Sequence, residues 1–442
     1  MKRVYCFACL LIVASILLGA CSPAAPVVPT AAPASGNSPS TPAAASTAGQ
    51  HDPVTITFWH AATIPPLDST LKTQIDEFMQ KYPWITVKAQ GIGFADYFTK
   101  VDTATAGGTA PDVLWIDSTV VQKYAFYKTI IPLDSFLPAN YKDDFFPSTI
   151  VDSTYDGKMW AVPLHQSSEA ILYNQDIISA AGLIPPNSYD KPWTFDQFRQ
   201  ALEKVTQKNA DGSVKTWGFL TNYPLEIYNL QPWVNAQGAP LMDPSETKFV
   251  GYLNSPTTID AVTWFVNLYR DKLAPVESTP DMFQTGKVAF FQSNAFALPD
   301  IKNRFPNMKV GVMPMPCDKT CAVDSGQWEI GISSQSKHTD AAWLLINFLT
   351  NQAGEKEWVS KTGYLPARQS VYASMPELKQ YPMSIFMDGL IKYAVHRPAT
   401  LAYQYLNSVM PTTIIDFNNG ADVKTGLDKV AADSQKQLDS MK

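Results

Sequence analysis

Strand-like and helix-like segments alternate along this chain, and that alternation restricts the folds available to it. Residues 54–59 alternate apolar and polar side chains, as a half-buried strand does. The apolar residues that follow share one face of a helix, and they are Leu71, Ile75, Phe78, Met79 and Tyr82. A strand at 85–89, a helix around 97–105 and a buried strand at 112–117 continue the series. The alternation predicts an α/β fold whose sheet is covered by helices.

The second half of the chain repeats the pattern with more helix. Residues 170–174 are strand-like, and Thr194-Phe-Asp-Gln197 is a capping box that opens a helix. Further helices are predicted at 259–270 and 340–350. The region 53–442 is longer than a single hydrophobic core usually grows. We therefore expect two lobes.

The first twenty residues have the layout of an export signal. Lys2 and Arg3 precede an uncharged stretch with an apolar centre at 10–18, which is too short to span a membrane. The junction Leu18-Gly-Ala-Cys21 resembles a bacterial lipobox, which implies cleavage after residue 20 and lipid on Cys21. The alternative is an ordinary secretory signal with a chance cysteine. We expect a protein anchored to the outer face of the cell membrane, or in the periplasm.

Residues 21–52 form a linker of low complexity after the signal. Beyond Cys21 this tract has six prolines and no Lys, Arg, Glu or aromatic residue. Such a segment cannot bury enough apolar surface to fold. It is predicted to be a disordered spacer between the membrane and the folded part.

Charge and cysteine usage exclude several functions. Without Lys2 and Arg3 the chain has 32 basic and 40 acidic residues, a net charge of −8 that argues against nucleic-acid binding. Cys317 and Cys321 are predicted to form a disulfide, because a metal site would need further ligands nearby. The five histidines are not at metal-ligand spacing, so neither a metal nor another cofactor is predicted.

Ligands of open α/β sheets bind at the carboxyl ends of the strands. This rule selects His60 after the first strand, the turn 91–94 after the second and Asp117 after the third. A sugar needs aromatic platforms and hydrogen-bonding side chains, and these loops supply both. The alternative is that the aromatic residues belong to the core and that Asp117 caps a helix.

Several strings in this chain resemble those of the family 1 extracellular solute-binding proteins of sugar ABC importers. They occur in the family's order over nearly all of 53–442. These strings are Thr57-Phe-Trp-His60, Gly108-Thr-Ala-Pro-Asp-Val113, Tyr155-Asp-Gly-Lys-Met-Trp-Ala-Val-Pro163, Leu172-Tyr-Asn-Gln-Asp176, Ala181-Gly-Leu183, Pro192-Trp-Thr-Phe-Asp196, Phe283-Gln-Thr-Gly-Lys-Val-Ala289, Lys361-Thr-Gly-Tyr-Leu-Pro366 and His396-Arg-Pro398.

The resemblance implies a two-lobed periplasmic-binding-protein-like fold of type II. Crossover hinge strands join the lobes, and the ligand is held in the cleft between them. The first lobe is expected to comprise 53–163 plus 297–333, and the second 164–296 plus 334–442. Residues 161–163 would form a hinge strand that delivers 164–168 into the cleft.

The resemblance also implies ligand-binding positions. They correspond to His60, Asp117, Gln166, Trp233, Asn294, Phe296, Gln327, Trp328, Tyr364 and Arg397. Two turns depart from common family patterns: Asn294-Ala-Phe296 replaces Gly-Ser-Trp, and Gly326-Gln-Trp-Glu329 replaces Gly-Gly-Trp-Gly and adds a carboxylate near the cleft. A core position for Trp233 and an inter-lobe ion pair for Arg397 remain alternatives.

The implied function is non-enzymatic capture of a sugar or oligosaccharide by hinge closure, followed by delivery to the transmembrane subunits of an ABC permease. A monomer is expected. The alternatives are binding of glycerol phosphate or another polyol, a surface-anchored glycoside hydrolase, or a sensory module. The chain has no Gly-x-Ser-x-Gly elbow, metalloprotease helix or phosphate-binding loop to support a hydrolase.

Overall fold

The computed structural model describes residues 51–221 and 226–442, so the expected signal 1–20, the lipidation site Cys21 and nearly all of the linker lie outside the described residues. The strands are β1 (Val54–His60), β2 (Ile85–Gly91), β3 (Val113–Asp117), β4 (Thr154–Tyr155), β5 (Lys158–Met159), β6 (Val162–Asn174), β7 (Gln207–Lys208), β8 (Val214–Thr221), β9 (Val288–Asn294), β10 (Val310–Met313), β11 (Val323–Ile332) and β12 (Ala394–His396).

Helices connect and cover these strands. They are α1 (Leu67–Lys81), α2 (Phe94–Ala106), α3 (Ser118–Phe126), α4 (Pro147–Asp152), α5 (Gln175–Ala180), α6 (Phe195–Val205), α7 (Ile227–Ala236), α8 (Pro256–Arg270), α9 (Ala297–Arg304), α10 (Thr339–Thr350), α11 (Gln352–Thr362), α12 (Gln369–Ala373), α13 (Met383–Tyr393), α14 (Tyr403–Asn418) and α15 (Val423–Met441). Short 3₁₀ helices occur at Tyr141–Asp144 and Pro376–Lys379. None of the helices described is both long and apolar enough to cross a bilayer.

The strands predicted from sequence pair into an α/β sheet. Strand β1 lies parallel to β2 and β3, and β11 joins β3 to β6 through antiparallel pairing on both sides. The path continues from β6 through β9 and β8 to β7, with β10 beside β6 and β12 beside β11. The predicted capping box is confirmed, because Thr194 and Gln197 make both of its hydrogen bonds at the start of α6.

Strands β6 and β11, the crossing strands, pass between two hydrophobic cores. The first core collects apolar residues of β1–β3, the start of β6, the end of β11, α10 and α11, including Ile56, Leu114, Leu164, Ile330 and Leu345. The second core collects residues from the end of β6, β8, β9 and many later helices, including Leu172, Phe198, Phe219, Phe290 and Leu427. The fold is therefore α/β with two lobes, and β6 runs from one core into the other.

The division of the chain between the cores differs from the expected boundaries. Of the expected return at 297–333, Ile330 and Ile332 pack in the first core, whereas Ile301, Val312 and Val323 pack in the second. The reason is strand pairing: β10 aligns with the second half of β6, and only the end of β11 reaches β3. Part of 334–442, around α10 and Trp358, packs in the first core rather than the second.

The two cysteines of the folded part lie between β10 and β11. The structure joins Cys317 to Cys321 by a disulfide, which closes a five-residue turn. Backbone N–H of Cys317 donates to the carbonyl of Trp193 ahead of α6. The disulfide therefore belongs to the second lobe, just ahead of β11.

Candidate ligand-binding cleft

A cavity of about 470 Å³ lies where β6 and β11 pass between the two lobes. That volume falls in the range of small-molecule sites, roughly 300–1,000 Å³. Residues of both lobes line it, namely Ala61, Ala62, Thr63, Ile64, Leu67, Phe94, Trp115, Asp117, His165, Ser167, Glu226, Tyr228, Asn294, Phe296, Gly326, Gln327, Trp328, Tyr364 and Arg397.

Aromatic rings of the first lobe form one wall. The indole of Trp328, on β11, lies parallel to the ring of Phe98 at a centroid distance of 6.3 Å. Phe94, at the start of α2, meets Trp328 edge to face at 5.9 Å, and its side chain is 54% exposed. Trp115 packs behind Trp328 at 6.1 Å. This wall presents a flat apolar surface to the cavity.

Tyr228 lies at the centre of the opposite wall of the cavity and contacts the polar residues around it. Its hydroxyl accepts a 2.6 Å hydrogen bond from the Asn294 amide and lies 3.0 Å from the Ser167 hydroxyl. A Cβ on Gly326 would come within 2.8 Å of the Tyr228 ring. Glycine at 326 therefore allows the tyrosine to lie against β11, where it joins α7 to β6 and β9.

An ion pair between Arg397 and Asp117 borders the cavity. The guanidinium Nη2 lies 3.1 Å from Asp117 Oδ1 and donates to the Ser118 hydroxyl at 3.0 Å. Asp117 Oδ1 also accepts from the backbone N–H of Thr119, which caps α3. Burial opposes the charge of Arg397, but the surrounding groups, Asp117 foremost, raise its pKa above the ordinary value. Both alternatives to ligand binding, the helix cap at Asp117 and the ion pair of Arg397, are therefore present in the structure.

His165 contributes a neutral ring between the walls. Its centroid lies 3.9 Å from that of Tyr364, which in turn lies 4.8 Å from Phe296. Burial lowers the pKa of His165 to about 3, so the imidazole is uncharged near neutral pH. The residues described contain no group of three or more His, Cys, Asp or Glu side chains placed to hold a metal ion.

A buried polar layer lies beneath the cavity on β6 and β11. The amide of Gln166 donates to Thr149 Oγ1 at 2.9 Å and also to Gln327. Gln327 donates to the Thr149 carbonyl at 2.9 Å and to Glu329 Oε1 at 2.5 Å. Glu329 is fully buried, and burial raises its pKa well above the usual range. The extra carboxylate expected near the cleft thus lies below its floor.

Seven of the ten residues expected to bind ligand line this cavity. They are Asp117, Asn294, Phe296, Gln327, Trp328, Tyr364 and Arg397. The cavity lining does not include His60, Gln166 or Trp233. Gln166 belongs to the buried polar layer, and His60 is buried beside Phe58, where burial lowers its pKa to about 4.

Trp233 lies in the second core rather than in the cleft. Its side chain is 1% exposed, and it packs between Phe198 and Trp264. The indole N–H donates a 2.8 Å hydrogen bond to Gln292. Core side chains cover the ring, which favours the alternative that Trp233 belongs to the core.

The cavity also contains residues outside the ten positions that were expected to bind ligand. Phe94 belongs to the turn selected after the second strand, and His165 and Ser167 belong to the segment expected to enter the cleft. Glu226 and Tyr228 had no sequence signal. Glu226 is the N-cap of α7 and Tyr228 lies in its first turn, and only the tertiary fold brings them beside Asn294 and Arg397.

Two lobes that share crossing strands, with a cavity between them, define a periplasmic-binding-protein fold. An ABC substrate-binding protein of Listeria monocytogenes, in complex with cycloalternan, has this fold, with a TM-score of 0.77 and 24% identity over 88% of this chain and all of that one.

Sequence relatives are similarly distant. The maltotriose-binding protein of Pyrococcus abyssi is 22% identical over 78% of this chain and 73% of that protein. The sn-glycerol-3-phosphate-binding periplasmic protein of Salmonella typhimurium is 22% identical over 78% of this chain and 81% of that protein. The model of the bacterial extracellular solute-binding protein family matches residues 73–384, and the chain belongs to this family. Membership implies a location outside the cytoplasm.

Proposed function

We propose that this protein captures a sugar or oligosaccharide and delivers it to the transmembrane subunits of an ABC importer. The observation that carries the proposal is the pairing of two unlike walls around one cavity. An aromatic wall from the first lobe, centred on Trp328, faces a polar wall from the second lobe, centred on Tyr228. The maltotriose-binding relative supports the same ligand class.

The two walls match the two kinds of surface on a pyranose ring. The apolar ring face can stack on Trp328 or Phe94, both of which line the cavity. The hydroxyl edge needs donors and acceptors, which Asn294, Asp117 and His165 provide. A sugar between the walls would contact both lobes at once.

Such a ligand would favour closure of the cleft. Ligand binding shifts a conformational equilibrium only when the ligand interacts better with one state, and contacts to both lobes are available only when the lobes approach. The crossing strands β6 and β11 are the natural hinge, because β6 continues from the first core into the second. We infer that the closed, loaded monomer is the form that docks on the permease.

We also propose that lipid on Cys21 holds the protein to the membrane after cleavage of residues 1–20, and that the linker gives it reach. The junction Leu18-Gly-Ala-Cys21 and the Pro-rich tract support this. A Cys21→Ser variant should lose the lipid and pass from the detergent phase to the aqueous phase in a phase-partition assay. Unchanged partitioning would contradict anchoring at Cys21.

A ligand panel tests the function directly. Thermal unfolding and tryptophan fluorescence of the purified full chain should respond to maltotriose or another neutral oligosaccharide, and not to amino acids. The proposal fails if no carbohydrate changes either signal while another solute does.

We propose that the protein does not hydrolyse its ligand. A surface glycoside hydrolase would release reducing ends on prolonged incubation with oligosaccharide, whereas a binding protein would release none. Steady turnover would overturn the proposal. A purely sensory role would leave uptake of the bound sugar unchanged after deletion of the gene.

A further inference from the structure

Asp117 is positioned to decide which charges the cleft accepts. The charged side chains that line the cavity in the described part of the chain are Asp117, Glu226 and Arg397. Two carboxylates and one guanidinium sum to −1, and His165 adds no charge because burial keeps it neutral. A ligand with a phosphate or carboxylate would therefore meet net repulsion.

The one guanidinium that lines the cavity in the described part of the chain, that of Arg397, already has polar partners. Arg397 Nη2 is 3.1 Å from Asp117 and donates to Ser118, while its Nε is buried without a partner among the described residues. The side chains of Arg397 and Asp117 are only 10% and 12% exposed. A buried ion pair at this distance presents almost no net charge to a ligand, so Arg397 is not available as an anion site while it is paired with Asp117.

Glu226 adds to the repulsion of anionic ligands by the cavity. It is half-buried at the cavity edge and has no basic partner within 4 Å among the described ion pairs. Burial raises the pKa of Glu226, Arg397 opposes the rise and Asp117 adds to it, so two carboxylates share the one guanidinium of the cavity. Any anion approaching the Arg397–Asp117 pair also approaches Glu226.

We propose that Asp117 is a specificity-determining residue, which masks Arg397 so that the cleft rejects phosphorylated and carboxylated ligands and accepts neutral carbohydrate. The inference rests on the proposed function and names its substrate class. It separates this chain from a cleft built for glycerol phosphate, in which a guanidinium or helix N-terminus must be free to bind the anion.

The decisive variant is Asp117→Asn. Asparagine is as good a helix N-cap as aspartate, so its side-chain oxygen can still accept from the Thr119 N–H at the start of α3. Arg397 then keeps its charge and loses its nearest counter-ion, the carboxylate 3.1 Å from Nη2. An anionic ligand can supply the missing charge.

The test compares inorganic phosphate, glycerol 3-phosphate and maltotriose by isothermal titration and thermal unfolding at constant ionic strength. Wild-type protein should show no stabilisation by either phosphate compound at concentrations that saturate D117N. The D117N variant should gain at least tenfold in affinity for both compounds, and the double variant D117N/R397Q should lose that gain. E226Q removes one negative charge from the cavity but leaves the Arg397–Asp117 pair intact, and D176N removes one negative charge from the protein surface. Neither variant should bind the phosphate compounds as tightly as D117N does.

Three results would overturn the proposal: tight glycerol 3-phosphate binding by the wild type, no gain in D117N, or an equal gain in E226Q. If D117N does not fold, Asp117→Ser, which retains a capping oxygen, replaces it, and stabilisation by phosphate remains the readout. Failure of the proposed function is a different outcome, in which wild type binds no carbohydrate at all while the phosphate gain of D117N is unaffected.

Discussion

The indole N–H of Trp358 donates a 3.0 Å hydrogen bond to Nδ1 of His165. The two rings are also stacked, with centroids 5.7 Å apart and planes 18° from parallel. Because Nδ1 accepts, the proton of the neutral imidazole is on Nε2, which has no partner among the described residues. A core tryptophan of the first lobe thereby fixes the tautomer and ring orientation of His165, which lines the cavity.

Trp358→Phe should weaken sugar binding although Trp358 does not line the cavity. Without the indole donor the imidazole can adopt the other tautomer, and the donor at Nε2 is no longer enforced. We expect a loss of about 1 kcal/mol in binding free energy, or roughly fivefold, by isothermal titration.

The same substitution lowers stability by about 1–3 kcal/mol, because a buried acceptor loses its donor. Phe78→Leu is the matched control, since Phe78 is fully buried in the first core on α1 but remote from the cleft. It should lower the unfolding free energy and leave affinity unchanged. Equal losses of affinity in both variants would mean that general destabilisation, not the tautomer of His165, is responsible.

Trp328→Ala should reduce affinity by about 1–3 kcal/mol if a sugar ring stacks on the aromatic wall. The half-buried Trp343 gives the comparison, because it stacks on Phe136 in the first lobe at 5.7 Å and does not line the cavity. Trp343→Ala should cost stability and spare binding. Titration of both variants with the same oligosaccharide checks this. An unchanged affinity for Trp328→Ala would show that no sugar ring stacks on Trp328.

Trp233→Phe, unlike Trp328→Ala, should lower stability and leave sugar affinity nearly unchanged. The phenyl ring retains most of the packing with Phe198 and Trp264, but the buried Gln292 oxygen loses the indole N–H. We expect unfolding in urea to become easier by about 1–3 kcal/mol and sugar affinity to stay within twofold of wild type. A large fall in affinity at constant stability would return Trp233 to the ligand site.

The contrast between Trp233 and Trp328 shows where sequence reasoning reaches its limit. Local patterns predicted the alternating elements and the capping box, because strand period, helix period and cap chemistry are encoded within a few residues. Which tryptophan is covered depends on partners distant in sequence, such as Trp264 for Trp233 and Phe98 for Trp328.

Tyr228 and the lobe boundaries were missed for the same reason. Tyr228 becomes a cleft residue only because β6, β9 and β11 bring Ser167, Asn294 and Gly326 to it. The point at which the chain passes from one lobe to the other depends on which half of β6 pairs with β10. The resemblance supplied seven of the residues that line the cavity, since those positions lie in or beside segments with distinctive sequences.

Asp152, at the end of α4, should make the stability of the protein depend on pH. Burial raises its pKa to about 7, His396 and Arg397 oppose the rise, and Glu246 and Asp117 add to it. The native state therefore holds a proton that the unfolded state has released between about pH 4 and pH 7, so the unfolding free energy falls as pH rises through that window. Above pH 7 the loss is complete.

Asp152→Asn mimics the protonated carboxyl, and Oδ2 of Asp152 has no partner to lose among the described residues. The variant should match wild type near pH 4 and exceed it near pH 8 by up to about 4 kcal/mol, which is three pKa units at 1.36 kcal/mol each. Denaturation at both pH values measures the difference. Asp156→Asn, at an exposed turn position with φ of 49°, is the control and should show no such pH dependence. A stability gain for Asp152→Asn that is equal at pH 4 and pH 8 would show that Asp152 is ionised throughout, held so by His396 and Arg397.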